Sequence, residues 1–431
     1  MPTTTTPRIA RALQHRNFRL FFGGQSVSLV GTWITRIATS WLVYRLTGSE
    51  LLLGITGFAG QIPTLIVTPF AGVLVDRLDR RRILVITQAA SLLQSAALAV
   101  LTLAHVITVP QIIALQVFQG LINAFDTPAR QAFVSEMVAD RAHLPNAIAL
   151  NSSMVNGSRI IGPSIGGALI ALVGEGWCFA IDAASYLAVI ASLLAMRIEP
   201  RMPSGVERMH ILDELTHGWR YVFGSLPIRS VLILTATISL AGTPYAVLMP
   251  AIATQVLHGG PSTLGILMAA SGVGALTSAL YLAQRESVVG LGGIIRNAAL
   301  TFGAGLIAFS LARTLWLACA LLAIASAGFM LQLASSNTIL QTIVEEHLRG
   351  RVMSFYTMAF FGTVPLGSLF GGMVAERYGA EFTVRVSGAI CVAAALWFAS
   401  RLPAIRAVVR PVYIAKGILT VPAVDTGAKT L

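Results

Sequence analysis

Four charged residues stand inside long apolar stretches of this 431-residue chain: Arg36, Asp126, Arg159 and Asp182. A charge near the centre of a membrane helix costs about 2.5–3.5 kcal/mol, so such a residue generally pairs with another or faces a water-filled cavity. Both interpretations stay open for each of the four, and arginines in a cavity would favour substrates with anionic or carbonyl groups. Polar and aromatic residues in the same stretches are weaker candidates for the cavity wall: Gln25, Trp33, Asn151, Asn156 and Tyr245.

The segment Gly72–Arg82 (GVLVDRLDRRR) places a glycine, an aspartate and clustered arginines at the end of an apolar stretch. Gly72 allows two helices to approach closely. Asp76 is suited to capping a neighbouring helix N-terminus or pairing with an arginine, and Arg80 is suited to reaching an acidic group on another helix. A basic loop that only fixes membrane topology is the simpler interpretation, but it does not explain the spacing of glycine and aspartate.

A second segment, Ser158–Gly167 (SRIIGPSIGG), is rich in residues that shape a helix. Gly162 and Pro163 together kink a helix and free a carbonyl group, while Gly166 and Gly167 permit tight contact with a neighbour. Because small residues are common at any interface between membrane helices, the pattern predicts close packing whether or not the kink has a function.

The amino-acid composition predicts that these residues belong to an integral membrane protein. The chain is 55% apolar and only 11% charged, with a mean hydropathy of +0.76, whereas a soluble domain carries about 25% charged residues. The net charge of +12 lies in short clusters between apolar stretches, which is typical of cytoplasmic loops and not of a nucleic-acid-binding surface. Cys178, Cys319 and Cys391 are far apart in apolar segments, which favours packing over a disulfide framework.

Twelve apolar segments are long enough to cross a bilayer, which requires about 20 residues per helix. They form two blocks of six, so the predicted fold is an all-α membrane protein with two six-helix bundles. The predicted spans are 18–46, 51–75, 83–105, 110–130, 147–174, 177–197, 229–256, 262–284, 290–312, 315–335, 352–376 and 382–401. The domains are a cytoplasmic N-terminus (1–17), the first bundle (18–197), a linker with an amphipathic surface helix (198–228), the second bundle (229–401) and a loose cytoplasmic tail (402–431).

The basic residues predict the orientation of the chain. Most of the 30 lysines and arginines fall in the N-terminus, the linker, the tail and every second loop. By the positive-inside rule, both termini face the cytoplasm of a multi-pass protein in the cell (inner) membrane. The first apolar segment is too long for a removable signal peptide, and no small-residue cleavage site follows it.

The two blocks of six contain an internal repeat. When the chain is shifted by 211 residues, Ser28–Thr32 (SLVGT) aligns with Ser239–Thr243 (SLAGT), and Gly54 aligns with Gly265. Because each block has an even number of spans, both copies enter the membrane in the same orientation. Parallel repeats of this kind in transporters place the substrate site between the two halves.

The loop after span 2 resembles the signature G-x-L-x-D-R-x-G-R-R-R/K of the major facilitator superfamily, with Asp79 where the family usually has glycine. The resemblance covers about residues 17–402. It implies a conformational latch that holds the two halves together in the outward-facing state, with Asp126 as the acidic partner of Arg80. The residues of this latch are Gly72, Asp76, Arg77, Arg80 and Asp126.

Span 5 resembles the antiporter motif G-x-x-x-G-P-x-x-G-G of superfamily exporters, with Ser158 in place of the first glycine. Its residues here are Arg159, Gly162, Pro163, Gly166 and Gly167. Arg159 and the segment 348–354 are also similar to the macrolide-efflux and enterobactin-export branch. Span 4 departs from the family: Gln116 stands where many proton antiporters carry the arginine of R-x-x-Q-G.

These features predict a secondary active exporter of amphipathic small molecules, a drug efflux protein that exchanges its substrate for protons. A siderophore exporter or a lysophospholipid or lipid flippase of the same superfamily is the alternative, and a non-transporting membrane sensor is the alternative from another class. The sequence has no G-x-x-x-x-G-K-[ST], H-E-x-x-H or G-x-S-x-G motif, so we expect neither an enzyme nor a metal site or cofactor. The expected partners are the substrate, the proton and membrane lipid, without nucleic acid or an obligate protein partner.

Overall fold

The protein, as a computed structural model, is described over residues 8–138, 140–197, 219–285 and 287–419, and this part of the chain is helical without a β-strand. Spans 1 to 6 are Arg16–Thr47, Glu50–Arg77, Arg80–Leu103, Val109–Met137, Leu144–Val173 and Glu175–Ala195. Span 7 comprises Leu226–Gly242, Pro244–Val247, Met249–Ala251 and Ile252–Val256. Spans 8, 9, 10 and 12 are Pro261–Ala283, Leu291–Ser310, Leu315–Ile343 and Ala380–Ala415, and span 11 comprises Arg349–Phe361 and Val364–Tyr378. The predicted all-α membrane fold is confirmed.

Three of the twelve spans are more polar than the others. In the described ranges, nine helices are long and apolar enough to cross a membrane by composition alone. The other three long helices are spans 1, 4 and 5, and they carry Arg36, Asp126 and Arg159. Polar residues in a membrane helix are favourable only where they face protein or water, so these spans belong in the interior of the bundle.

Spans 7 and 11 are interrupted where proline removes a backbone donor. In span 7, Pro244 is the first residue of one helical piece and Pro250 the second residue of the next, and in span 11 Pro365 follows a break after Phe361. Span 7 ends in a π-helical turn, Ile252–Val256, a geometry that is often found at functional sites. The surface helix predicted in the linker falls largely on residues 198–218, which lie outside the described residues.

The prediction of a loose tail from residue 402 is wrong for its first part, because span 12 continues as one helix to Ala415. Leu402, Ile405, Val409 and Tyr413 are spaced by three or four residues, so they share one helix face, and all four are buried. Beyond the helix, Lys416 donates to the carbonyl oxygen of Thr342 at 2.6 Å. This extension is therefore part of the second bundle.

The two halves meet where span 2 contacts span 11 and where span 5 contacts span 8. Each contact centres on a pair of glycines. A Cβ added to Gly54 would lie 3.0 Å from the Cα of Gly372, and one added to Gly167 would lie 2.7 Å from the Cα of Gly265. Because Gly54 and Gly265 are equivalent in the repeat, the two contacts are related by the pseudo-twofold axis.

The contacts between the halves lie toward one end of the molecule. We call the end with the turn between Arg77 and Arg80 the basic end, and the opposite end, with the turns at Gly174 and Gly379, the far end. These two turns are equivalent, with φ of 83° and 86°, which favours glycine. At the far end, Gln255 of span 7 donates to the hydroxyl of Tyr44 at 2.7 Å, and their numbers differ by the repeat shift of 211.

The halves part toward the basic end. Spans 2 and 11 remain in contact as far as Leu65 and Gly362, near mid-span. Beyond that point, Phe70 of span 2 is 69% exposed and Phe361 of span 11 is 59% exposed. A Cβ added at Gly72 would meet nothing within 4 Å. The bundle is therefore closed at the far end and open at the basic end.

We predict that Val409→Asp lowers the thermal stability of the purified protein, because a buried, unpaired charge costs several kcal/mol. The matched control is Val408→Asp, since Val408 is 50% exposed beside the buried Val409. Thermal unfolding in detergent, followed by intrinsic fluorescence, measures both. Equal melting temperatures would show that the extension of span 12 does not pack as described.

Candidate substrate cavity and gates

Span 1 presents one exposed stripe in the middle of the protein. This helix contacts spans 2, 4, 5 and 6 and also spans 7 and 8 of the other half. Gly23, Val27, Thr32 and Arg36 are nevertheless exposed, and their spacing of four or five residues puts them on one face. An exposed stripe on a helix surrounded by other helices marks the wall of a cavity, and this cavity opens at the basic end.

Arg36 and Arg159 lie together on this wall. Guanidinium groups are positively charged, and the two groups are close enough to repel one another. The guanidinium carbon of Arg36 stands over the ring of Trp33, 5.0 Å from its centre, which is a cation–π contact. Within the described ranges no carboxylate pairs with either arginine, so the cavity wall has a net positive charge.

The remaining predicted cavity residues separate into two groups. Asn151 and Asn156 are half-buried on span 5, and the side-chain oxygen of Asn151 has no hydrogen-bond partner. Gln25, Asp182 and Tyr245 are at most 5% exposed, so they lie inside the bundles and not on the cavity wall. The prediction that these three line the cavity is wrong for this conformation, because all three are buried, Asp182 beside Ser95 and Tyr245 beside Ser271.

Asp182 connects three spans of the first bundle. Its carboxylate accepts a hydrogen bond from Ser95 of span 3 at 2.9 Å and one from Ser185 at 3.4 Å. A Cβ added to Gly31 of span 1 would lie 2.6 Å from the same carboxylate. Its hydrogen bonds are therefore made within the bundle. Tyr245 has a comparable position in the second bundle, where its hydroxyl lies 3.4 Å from that of Ser271.

Asp126 and Arg80 do not form the ion pair that the resemblance implies. Asp126 accepts hydrogen bonds from Thr87 at 3.0 Å and Gln88 at 2.8 Å, and its other oxygen lies 3.6 Å from Arg130. Arg80 instead contacts Glu136 at 2.6 Å. Glu136 lies ten residues further along span 4, about 15 Å nearer the basic end at 1.5 Å per residue.

Asp76 completes this cluster from the other side of Arg80. The two side chains are 3.0 Å apart, and the carboxylate of Asp76 remains 56% exposed. Arg77 is also exposed at this end. Asp79, the departure from the family signature, accepts hydrogen bonds from the amides of Arg81 and Arg82 and so caps span 3. Gly72, Asp76, Arg77 and Arg80 thus border the opening between the halves.

The small residues of span 5 pack against two different neighbours. Gly162 lies against Trp33, and a Cβ added to Gly166 would lie 3.2 Å from the Cα of Ile34, so both contact span 1. Gly167 faces Gly265 of span 8, in the other half. Pro163, in the same segment, is buried. Span 5 therefore joins the Arg36–Trp33 region to the interface between the halves.

A set of polar contacts closes the far end, and the sequence did not indicate it. Glu376 of span 11 accepts hydrogen bonds from the hydroxyl of Ser49 at 2.8 Å and the amide of Leu51 at 3.0 Å. Gln255 donates to the buried Glu50 at 2.9 Å as well as to Tyr44. Glu376 thus satisfies donors at the N-terminus of span 2. The 211-residue shift, applied to Tyr44, is the sequence signal that could have identified Gln255.

A doubled six-helix bundle with a polar cavity between its halves, closed at one end, is the architecture of an alternating-access membrane transporter and not of an enzyme. The sequence profile described as "Transmembrane secretion effector" matches residues 9–416, so the chain belongs to this family of efflux transporters in the major facilitator superfamily.

Named relatives and solved structures agree with this assignment. The staphyloferrin A transporter of Staphylococcus aureus is 26% identical over 389 residues, covering 89% of this chain and 96% of that protein. The multidrug efflux pump Tap of Mycolicibacterium fortuitum is 29% identical over 364 residues, covering 82% and 88%. A bacterial homologue of the human lysosomal transporter Spinster, in an inward-facing and unoccupied conformation, shares the fold with a TM-score of 0.68 at 15% identity, covering 97% of this chain and 100% of that chain.

We predict that Gly54→Val prevents closure of the far end, because a side chain there would overlap the backbone of Ser368 and Gly372. Such overpacking costs about 1–3 kcal/mol, which shifts the population of the open far end by about fivefold or more. Maleimide labelling of a cysteine at Ser368, which is 1% exposed here, measures that opening in a background without the native cysteines.

The matched control is Gly23→Val in span 1, where an added Cβ meets nothing within 4 Å. We expect the labelling rate of the control to equal that of the unsubstituted reporter protein. If Gly54→Val and Gly23→Val label at the same rate, the glycine pair does not control the closure.

Proposed function

We propose that this protein exports amphipathic small molecules from the cytoplasm by alternating access, in exchange for protons. One observation carries the proposal: the polar cavity on span 1 opens at the basic end while Gly54–Gly372 and Gly167–Gly265 close the far end. A transporter must have a second state in which these relations are reversed. Rocking of the two halves about their central interface produces that state without unfolding either bundle.

The orientation follows from the distribution of basic residues. The basic end holds the arginines around Arg80 and Arg349, together with the last turns of span 12. By the positive-inside rule it faces the cytoplasm, as do both termini. In this orientation the structure is inward-facing, so its cavity receives solutes from the cytoplasm, and the reversed state would release them outside.

The relatives support small-molecule export. Tap is named a multidrug efflux pump, and the staphyloferrin A transporter is named for an iron chelator. Drug efflux is the first candidate for this chain. Siderophore export is the second candidate, and the similarity to the staphyloferrin A transporter over 89% of this chain favours it.

Proton exchange provides sufficient energy for such export. At a membrane potential of about 150 mV, one proton supplies about 3.5 kcal/mol, which supports a gradient of about 300-fold. Because Gln116 replaces the usual arginine of span 4, the proton-carrying residue cannot be assigned by family resemblance. The described carboxylates at mid-membrane depth are Asp126 and Asp182. In this state Asp126 accepts hydrogen bonds from Thr87 and Gln88, and Asp182 accepts one from Ser95.

We propose that Asp76 closes the basic end in the outward-facing state. In the inward-facing state its carboxylate contacts Arg80 and is half-exposed toward the opening. When the halves rock, the inner ends of spans 2 and 11 approach, and Asp76 would meet the N-terminus of span 11 at Arg349. A carboxylate at a helix N-terminus is stabilised by the helix dipole and by the free amides.

We predict that Asp76→Asn reduces substrate efflux by about tenfold, since a latch of 1–3 kcal/mol changes the balance of states by that order. Asp79→Asn is the control, because asparagine caps a helix N-terminus as well as aspartate does. Efflux of a fluorescent substrate from efflux-deficient cells, normalised to the amount of protein in the membrane, measures both variants. Unchanged efflux in Asp76→Asn would show that Asp76 does not act as a latch.

We predict that purified protein in proteoliposomes concentrates a fluorescent substrate when a pH gradient is imposed, and that an uncoupler abolishes the accumulation. Gly167→Val is the control for leak, because its side chain would overlap Gly265 and block the movement of the halves. A non-transporting sensor would move no substrate under either condition. Accumulation that persists with the uncoupler would exclude proton exchange as the driving force.

A further inference from the structure

The charged residues of the central cavity are all positive. Between their terminal turns, the spans around the cavity carry Arg36 and Arg159, and the described segments of spans 2, 7, 8, 10 and 11 have no other charged residue at this depth. The described carboxylates at mid-membrane depth, Asp126 and Asp182, are hydrogen-bonded within the first bundle. In the described part of the chain, neither carboxylate forms an ion pair with Arg36 or Arg159, and the salt bridge of Asp126 is with Arg130.

Among the residues that the structure describes, the two arginines have no carboxylate partner. They repel one another, and within the described ranges neither forms an ion pair. Among the described residues, one ring lies against a guanidinium of the pair, that of Trp33 under Arg36, and a contact through the ring face leaves the edge of the guanidinium open to hydrogen bonding. Planar guanidinium groups bind carboxylates through paired hydrogen bonds, and this is the strongest contact they make with small molecules.

We infer that the cavity selects anionic amphipathic substrates, whose carboxylate binds between Arg36 and Arg159 while the apolar body lies against Trp33. This inference rests on the proposed export function and names the substrate class of the same cavity. Trp33 is held by Gly162 of span 5, so the aromatic surface and both arginines belong to one packed unit of spans 1 and 5. A cationic drug would instead add a third positive charge to this unit.

The inside-negative membrane potential favours this substrate class. Moving an anion outward and a proton inward transfers charge in the same electrical direction, so both movements are driven by the potential. Exchange of a monocation for a proton moves no net charge across the membrane, so the potential does not drive it. The exporter would therefore move a monoanion with a stronger electrical driving force than a monocation.

Two xanthene dyes test the inference by binding alone: fluorescein, which is anionic, and rhodamine 123, which is cationic and of similar size. Equilibrium dialysis against the purified full-length protein gives Kd for each. We expect tighter binding of fluorescein, and a Kd about tenfold weaker in Arg36→Gln and in Arg159→Gln, as follows from losing a charged hydrogen bond. The Kd of rhodamine 123 should stay unchanged or improve.

Two further variants separate charge from structure. Arg36→Lys keeps the charge and should retain most fluorescein binding, whereas Arg296→Gln removes a charge outside the cavity, on span 9, and should have no effect. A preference for rhodamine 123, an equal loss of both dyes in the glutamine variants, or no measurable binding of fluorescein would each overturn the inference.

Transport of the same dyes in proteoliposomes separates this inference from the proposed function. If fluorescein binds selectively through Arg36 and Arg159 but no dye crosses the membrane, the anion selectivity stands and the export function fails. If rhodamine 123 is exported while fluorescein is neither bound nor moved, export stands and the anion selectivity fails.

Discussion

Backbone-to-backbone contact between the halves is the constraint on which the other features depend. At Gly54–Gly372 and Gly167–Gly265, no side chain separates the helices, so the four spans touch through their main chains. Membrane helices gain little from hydrophobic burial against one another, and close approach provides their packing energy. Two small contacts of this kind, related by the pseudo-twofold axis, hold the far end closed. Because they are small, they also define a rotation axis for the movement of the two halves.

The same constraint places the cavity. Gly162 and Gly166 bring span 5 against span 1, while Gly167 joins span 5 to the other half, so the arginine pair lies beside the line of rotation. A site in that position can face either side of the membrane after a small rotation of the halves. At the far end, the contacts of Glu376 are exposed and that of Gln255 with Glu50 is partly buried, and water can replace both when that end opens.

The fold was predictable because apolar length and basic clusters are strong, local signals. The cavity was only partly predictable. Arg36 lies on the predicted cavity wall and the span 5 glycines lie at the predicted helix contacts, whereas Gln25, Asp182 and Tyr245 are buried. A polar residue within a membrane helix is compatible with either environment, and only the packing of neighbouring helices distinguishes them. Glu136 was missed for a related reason: near a helix end, charged residues are common and carry no positional signal.

The two bundles share one helix arrangement but differ in the charge of their interior residues. In the described part of the chain, the mid-membrane charges, Arg36, Asp126, Arg159 and Asp182, all belong to the first bundle, and the interior of the second bundle holds hydroxyls and amides such as those of Ser271 and Gln332. When the halves move as bodies, Arg36 keeps its contact with Trp33 and span 1 keeps its packing on span 5, so only the uncharged opposite wall changes. The arginine pair can then stay beside the substrate while the cavity opens first to one side of the membrane and then to the other, which is the movement that alternating access requires.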